Sequence, residues 1–295
     1  MPIIVKICFA RSGGTVLNQY LGSLPNVIMM SEVNPLGGNW RKGKMALGTI
    51  KDQAKNWYQI DLKSDGFAES ALELEKICRR SGHHLIIRDW TFGSFFPAKE
   101  NDFNPPNSLS SLDVLEAKRD IIAFCFVRNV IDVWLSLRVL THIEIETFFA
   151  QYLKYVQAIR ERNIQIFKYE DFVKNPEGTV RDICAYTGLE YSDSWKNYMS
   201  YSKVIGDTVF DPHSRGRKTG VVSHLSRRHV PKKEAHRINQ CRKMIKANEL
   251  LGYTTSYYNV EQESVLSAIS EKCNRFACRY PRKLFHRFKR LLGQK

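Results

Sequence analysis

No run of apolar residues in this chain approaches the ~18 that a membrane-spanning helix needs. The N-terminal run, Ile3 to Phe9, is too short and too β-branched for a signal peptide. The expectation is a soluble, cytoplasmic protein. A disulfide framework is also missing: the seven cysteines are odd in number, irregularly spaced, and form no CxxC pair. Cys8 and Cys125 sit inside apolar runs, where a thiol behaves as a small hydrophobe. Free cysteines fit a reducing compartment. No His/Cys cluster calls for a metal. The Gly-rich turn near the N-terminus has no lysine, so the G-x-x-x-x-G-K-S/T loop of ordinary ATPases and GTPases is absent.

Acidic residues are scarce in one part only. The first 214 residues carry 25 basic and 25 acidic side chains, whereas residues 215–295 carry 20 and five. The whole excess of +15 therefore lies in the last third, which implies an anionic partner there. With 295 residues the chain can bury a large core without staples.

Five segments read as strands: Ile3–Phe9, Val27–Met30, Leu85–Ile87, Ile121–Val127 and Ile164–Phe167. The first and fourth are almost wholly apolar, which suits strands buried on both faces. Helical spacing appears at 67–81, 148–160 and 176–187, with Gly82 and Gly188 as stops for the first and last. Residues 97–113, with three prolines, read as loop. This alternation predicts a three-layer α/β/α fold with a mainly parallel central sheet.

Two constellations carry chemistry. Arg11-Ser12-Gly13-Gly14-Thr15 follows a buried strand and opens a helix. Small residues let backbone amides approach an anion, and the helix N-terminus adds partial positive charge. The plain alternative is a Gly-rich turn with no ligand. In the second, a strand ends at Arg128 and Ser136 follows eight residues later on a helix. An Arg at that end of a strand points into the crevice where α/β sheets bind ligands. Its plain alternative is an Arg paired with Asp132.

Together with Tyr169-Glu170-Asp171-Phe172, Pro176-Glu177 and Leu189, these segments resemble the sulfotransferases that use 3′-phosphoadenosine 5′-phosphosulfate (PAPS). The similarity covers roughly residues 1–40 and 84–192. It implies a fold like that of the P-loop kinases, over residues 1–260, with acceptor-side insertions at 33–83 and 91–118. The resemblance makes Arg11, Ser12, Gly13, Gly14 and Thr15 the 5′-phosphosulfate loop, and Arg128 with Ser136 the 3′-phosphate site, which also holds the product PAP. The family's Pro is Ala10 here and its first Thr is Gly14. Glu32 matches the base of the protein-tyrosine and carbohydrate branches. Arg88 matches a sulfate-contacting Lys. Asp89 is the second candidate base, or orients Arg88, and Trp90 stands where cytosolic relatives have a catalytic His. Arg217 and Lys218 match loosely a late basic loop on the 3′-phosphate. The implied reaction moves a sulfuryl group onto a hydroxyl or amine without a metal.

Two rivals remain: a nucleotide-dependent phosphotransferase, and an inert polyanion-binding protein on the same fold. No nucleic-acid-binding module is recognisable. Residues 261–295 read as a basic tail in which Leu284, Phe285, Phe288, Leu291 and Leu292 form a helical stripe. That stripe either packs on the core or lies on an anionic surface.

Overall fold

The structure is a computed structural model and describes residues 1–37, 48–97, 103–138, 143–206, 222–223 and 226–253. Two compact units are distinguished: Met1–Ser226 with Cys241–Thr255, and a second unit of which Arg227–Gln240 is described. In the second unit one helix, Lys232–Gln240, buries Ala235 and Ile238 and exposes Lys232 and Lys233. The basic loop with Arg217 and Lys218, and the tail 261–295, lie outside the described residues.

The first unit is built on five strands: β1 Ile3–Cys8, β2 Val27–Val33, β3 His84–Trp90, β4 Ile121–Val127 and β5 Gln165–Lys168. They pair in the order β2-β3-β1-β4-β5, all parallel. β1 is central, with Lys6 opposite Arg88 on one side and Phe124 on the other. All six of its residues are buried, as expected of a strand covered on both faces.

Side chains alternate between the faces. Ile4 and Cys8 face a layer formed by α1 (Gly14–Gly22), α8 (Tyr169–Lys174) and α9 (Pro176–Thr187), through Leu17, Leu21, Phe172, Val180 and Ile183. On the opposite face Phe9 meets Phe92, Phe96, Phe148, Tyr152 and Tyr155. These rings come from α4 (Phe92–Phe95), its C-cap residue Phe96, and α7 (Ile145–Glu161). The three-layer α/β/α fold with a parallel sheet is thus what the structure shows.

Three features depart from the sequence reading. A helix, α2, covers Ile50–Tyr58, and another, α5, covers Ser110–Glu116 at the end of the expected loop. β2 continues past Met30 to Val33 through a bulge, with Glu32 at φ 52°. Among the described residues the remaining α-helices are α3 (Phe67–Arg80), α6 (Val130–Leu137) and, after the second unit's α10 (Lys232–Gln240), α11 (Arg242–Leu250), and a 3-10 helix covers Asp193–Ser200. No helix among the described residues is long and apolar enough to cross a membrane.

Candidate active site

Apart from Ser136, near the end of α6, every candidate side chain that the structure describes lies at or just past the carboxyl end of a strand, where open α/β sheets bind ligands. The β1–α1 turn reverses sharply. Arg11 and Gly13 both have positive φ, 69° and 83°. An Arg in that region stores strain of about 1–3 kcal/mol, which the surroundings must hold in place. Gly13 has a second reason to be glycine: a Cβ there would lie 2.5 Å from the ring of Tyr169. The first amides of α1 have no partner within the helix and open towards the turn.

The two constellations, 125 residues apart in sequence, meet. Arg11 Nε donates to Ser136 Oγ at 3.0 Å. Arg128 Nη1 donates to the Arg11 carbonyl at 3.4 Å, and the Arg128 guanidinium lies 4.5 Å from the centre of the Tyr169 ring. Tyr169 therefore packs against both the turn and Arg128. The start of α6, just after Arg128, is pinned by other groups. Glu170 accepts from the Asn129 amide and from Tyr253 Oη, and Asn248 accepts from the Val130 amide.

Arg88 forms the second half of the site. It is 4% exposed and pairs with Glu32 at 2.7 Å. Its Nη1 donates to Thr15 Oγ1 at 3.3 Å and to the Ile205 carbonyl at 3.1 Å. Its Nε is buried without a hydrogen-bond partner among the described residues. Its two terminal nitrogens thus hold Thr15 and Glu32 together at this end of the sheet. Glu32 keeps its place because Gln53 of α2 binds the preceding residue twice, accepting from Ser31 N and donating to Ser31 O, each at 2.7 Å.

A strap, Tyr201–Gly206, crosses this half. Ile205 N donates to Ser31 Oγ at 3.0 Å. A Cβ at Gly206 would lie 2.4 Å from Thr15 Oγ1 and 3.1 Å from Glu32 Oε1, so only glycine passes there.

Two expected residues point elsewhere. Asp89 is fully buried, and its oxygens accept from Asn34 Nδ2 at 2.8 Å, Thr91 Oγ1 at 2.7 Å and Ser111 Oγ. Burial pushes its pKa up, against the pull of those three donors and of Arg88. The carboxylate thus ties β3 to α5 and the 34–37 turn. Ser12 is also fully buried, with its hydroxyl beside Tyr152 of α7.

Sequence reasoning passed over Tyr169 as a site residue, although the Tyr-Glu-Asp stretch marked it. It also passed over Lys6, which lies under the turn; the only signal was a charge inside an apolar strand.

No protein-family model matches the chain, and no curated protein matches it in sequence. Solved structures do match it. The sulfotransferase domain of the Synechococcus PCC 7002 olefin synthase superposes with a TM-score of 0.58 at 16% identity, over 87% of this chain and 96% of that domain. The chain has the sulfotransferase fold. A second sulfotransferase domain, from the curacin biosynthetic pathway, gives a TM-score of 0.54 at 13% identity, over 87% of this chain and 99% of that one. The sulfotransferase fold thus spans nearly the whole of both domains and most of this chain.

Proposed function

We propose that the chain is a sulfotransferase that moves a sulfuryl group from PAPS to a hydroxyl or amine of an acceptor. The observation that carries this reading is the junction of Arg11, Arg128 and Ser136 at one end of the sheet. Two guanidinium groups and a hydroxyl converge there beside a helix N-terminus, which suits a ligand with phosphate at two positions. The residues resembling the family's 5′ and 3′ sites are thus neighbours in space, and Arg88 adds a guanidinium beside Thr15 of the turn.

In this reading Arg11 and the turn amides bind the 5′ end, and Arg128 with Ser136 binds the 3′-phosphate. The donor supplies an activated sulfuryl group for in-line displacement. Glu32 takes the proton that the acceptor loses as it attacks sulfur, the general-base role. Arg88 orients Glu32 and offsets negative charge that builds on the transferring group. Glu32 suits the base role better than Asp89, whose oxygens are already satisfied by three donors in the interior. Residues 33–83 and 91–118 would supply the acceptor side.

The test is a thermal-shift titration with PAP and with ATP. PAP should raise the melting temperature in proportion to the logarithm of its concentration, and ATP should not. The variant Arg128→Ala should lower PAP affinity by roughly 10- to 150-fold, the worth of one charge-assisted contact of about 1.5–3 kcal/mol. Equal shifts with PAP and ATP would favour a phosphotransferase. No shift with either would favour an inert fold.

A further inference from the structure

We propose that Lys6 supplies a buried positive charge to the anionic 5′ end of the donor through the Arg11–Thr15 turn, and that anion binding draws a proton from solvent onto its amine. This rests on the donor-site reading above and deepens it, assigning a positioning role to a residue outside the two constellations.

Lys6 is the one charged side chain of β1 and is fully buried. It points to the α1 face between Ile4 and Cys8. Its Nζ donates to the Gly14 carbonyl at 2.8 Å and to Asn18 Oδ1. Gly14 is the first residue of α1, so the amine sits directly beneath the turn. No carboxylate of a described residue pairs with it, and Glu32 is held by Arg88. Isolated buried ammonium groups are costly, and a buried lysine readily shifts its proton affinity.

The charged and titratable groups around it are Cys8 on β1, Arg88 on β3 and Glu32 on β2; the neighbouring Asp89 turns to the other face of the sheet. From α1 it meets only the neutral Asn18. Burial pushes the Lys6 pKa down from 10.5 to about 7; Cys8 and Glu32 oppose the fall and Arg88 adds to it. Near neutral pH, then, the amine exchanges its proton. Asn18 passes its amide to Ser31 Oγ at 3.2 Å, and Ser31 Oγ accepts from Ile205 N. One polar chain thus joins Lys6 to the strap over Thr15 and Glu32.

An anion at the turn would lie across the first peptide of α1 from Lys6, in a medium of low dielectric where charges interact strongly. It favours the ammonium form. The bond formed is N–H on Lys6, and the proton comes from buffer. By linkage, a ligand that raises the proton affinity of Lys6 must itself bind less tightly as pH rises above the free amine's value.

The experiment is calorimetric titration of the full chain with PAP at pH 8, in buffers of different ionisation heat. The phosphates of PAP are then ionised, since their second pKa is near 6. Wild type should take up nearly one proton, and its affinity should fall about tenfold per pH unit from 7.5 to 9. Lys6→Met and Lys6→Gln should take up none and bind with a flat pH profile over that range. Gln keeps a donor for Asn18 and the Gly14 carbonyl, so one variant remains if Met fails to fold. Wild type that binds PAP without proton uptake overturns this proposal alone. Wild type that binds no PAP overturns the donor-site reading and this proposal with it.

Discussion

Gly14 stands where the resembling family has a threonine, and its neighbours show why. A Cβ there would lie 2.5 Å from Cys8 Sγ and 3.0 Å from Arg88 Nη2. The thiol fills the space, and the loss of one hydroxyl from the turn accompanies the gain of a thiol below it. Gly14→Ala should therefore destabilise the protein by about 1–3 kcal/mol, the usual cost of overpacking. Cys8→Ala should restore part of that loss in the double variant, seen as a coupling term in a denaturant-unfolding cycle. Additive losses would refute the clash. Glu32 bears on chemistry instead. Glu32→Gln should retain PAP binding while turnover falls by ~10²–10⁴-fold; turnover near wild type would remove Glu32 from the mechanism. The reach of the sequence also shows at this scale. Arg11 and Arg128 were legible because each ends an apolar run at a turn. The contact of Arg128 with Tyr169 was not, because it joins residues 41 apart through a sheet whose strand order the sequence does not state. Asp89 looked catalytic beside Arg88, yet one step along a strand reverses the face, and its side chain turns to Thr91 and Ser111.

Among elements, α2 repays scrutiny because it was legible and yet missed: Ile50, Ala54, Trp57 and Tyr58 fall at helical spacing. Its buried residues are Ile50, Gln53 and Ala54, so a polar side chain shares the core-facing side. Its start was readable too: Thr49 and Asp52 form a capping box in which each side chain binds the other's backbone amide. Gln53 then does for edge strand β2 what a neighbouring strand would do, binding both polar groups of Ser31. Glu32 follows at positive φ, a conformation that needs such support. Gln53→Leu should leave the Ser31 peptide unsatisfied, at a cost of about 1–3 kcal/mol, and should lower turnover more than it raises the apparent Kd for PAP. The check is kcat and PAP affinity measured on the same preparation. An equal loss in both, or in neither, would mean that α2 does not position Glu32.

For the whole molecule, the sheet class was legible because parallel strands covered on both faces are almost wholly apolar, as β4 is and as β1 is apart from Lys6. Stability should depend on pH through Lys6. Its pKa is about 7 when folded and 10.5 when unfolded, so between these values the unfolded chain binds more protons. Stability should then rise with pH across that window, by about 1.4 kcal/mol per unit from this group. Below pH 7 both states are protonated and the slope vanishes. Lys6→Met should remove the slope, as read from urea midpoints between pH 7 and 9. A wild type with no steeper pH dependence than the variant would contradict a buried amine with no carboxylate beside it.

The sheet order also governs what happens during synthesis. β1 leaves the ribosome before its partners, β3 at 84–90 and β4 at 121–127. At roughly 5–20 residues per second, an almost wholly apolar strand waits for several seconds with both edges open. Such edges recruit other chains. The lone charge of Lys6, a liability in the finished core, is then the one residue of that strand that resists aggregation while the nascent chain is incomplete.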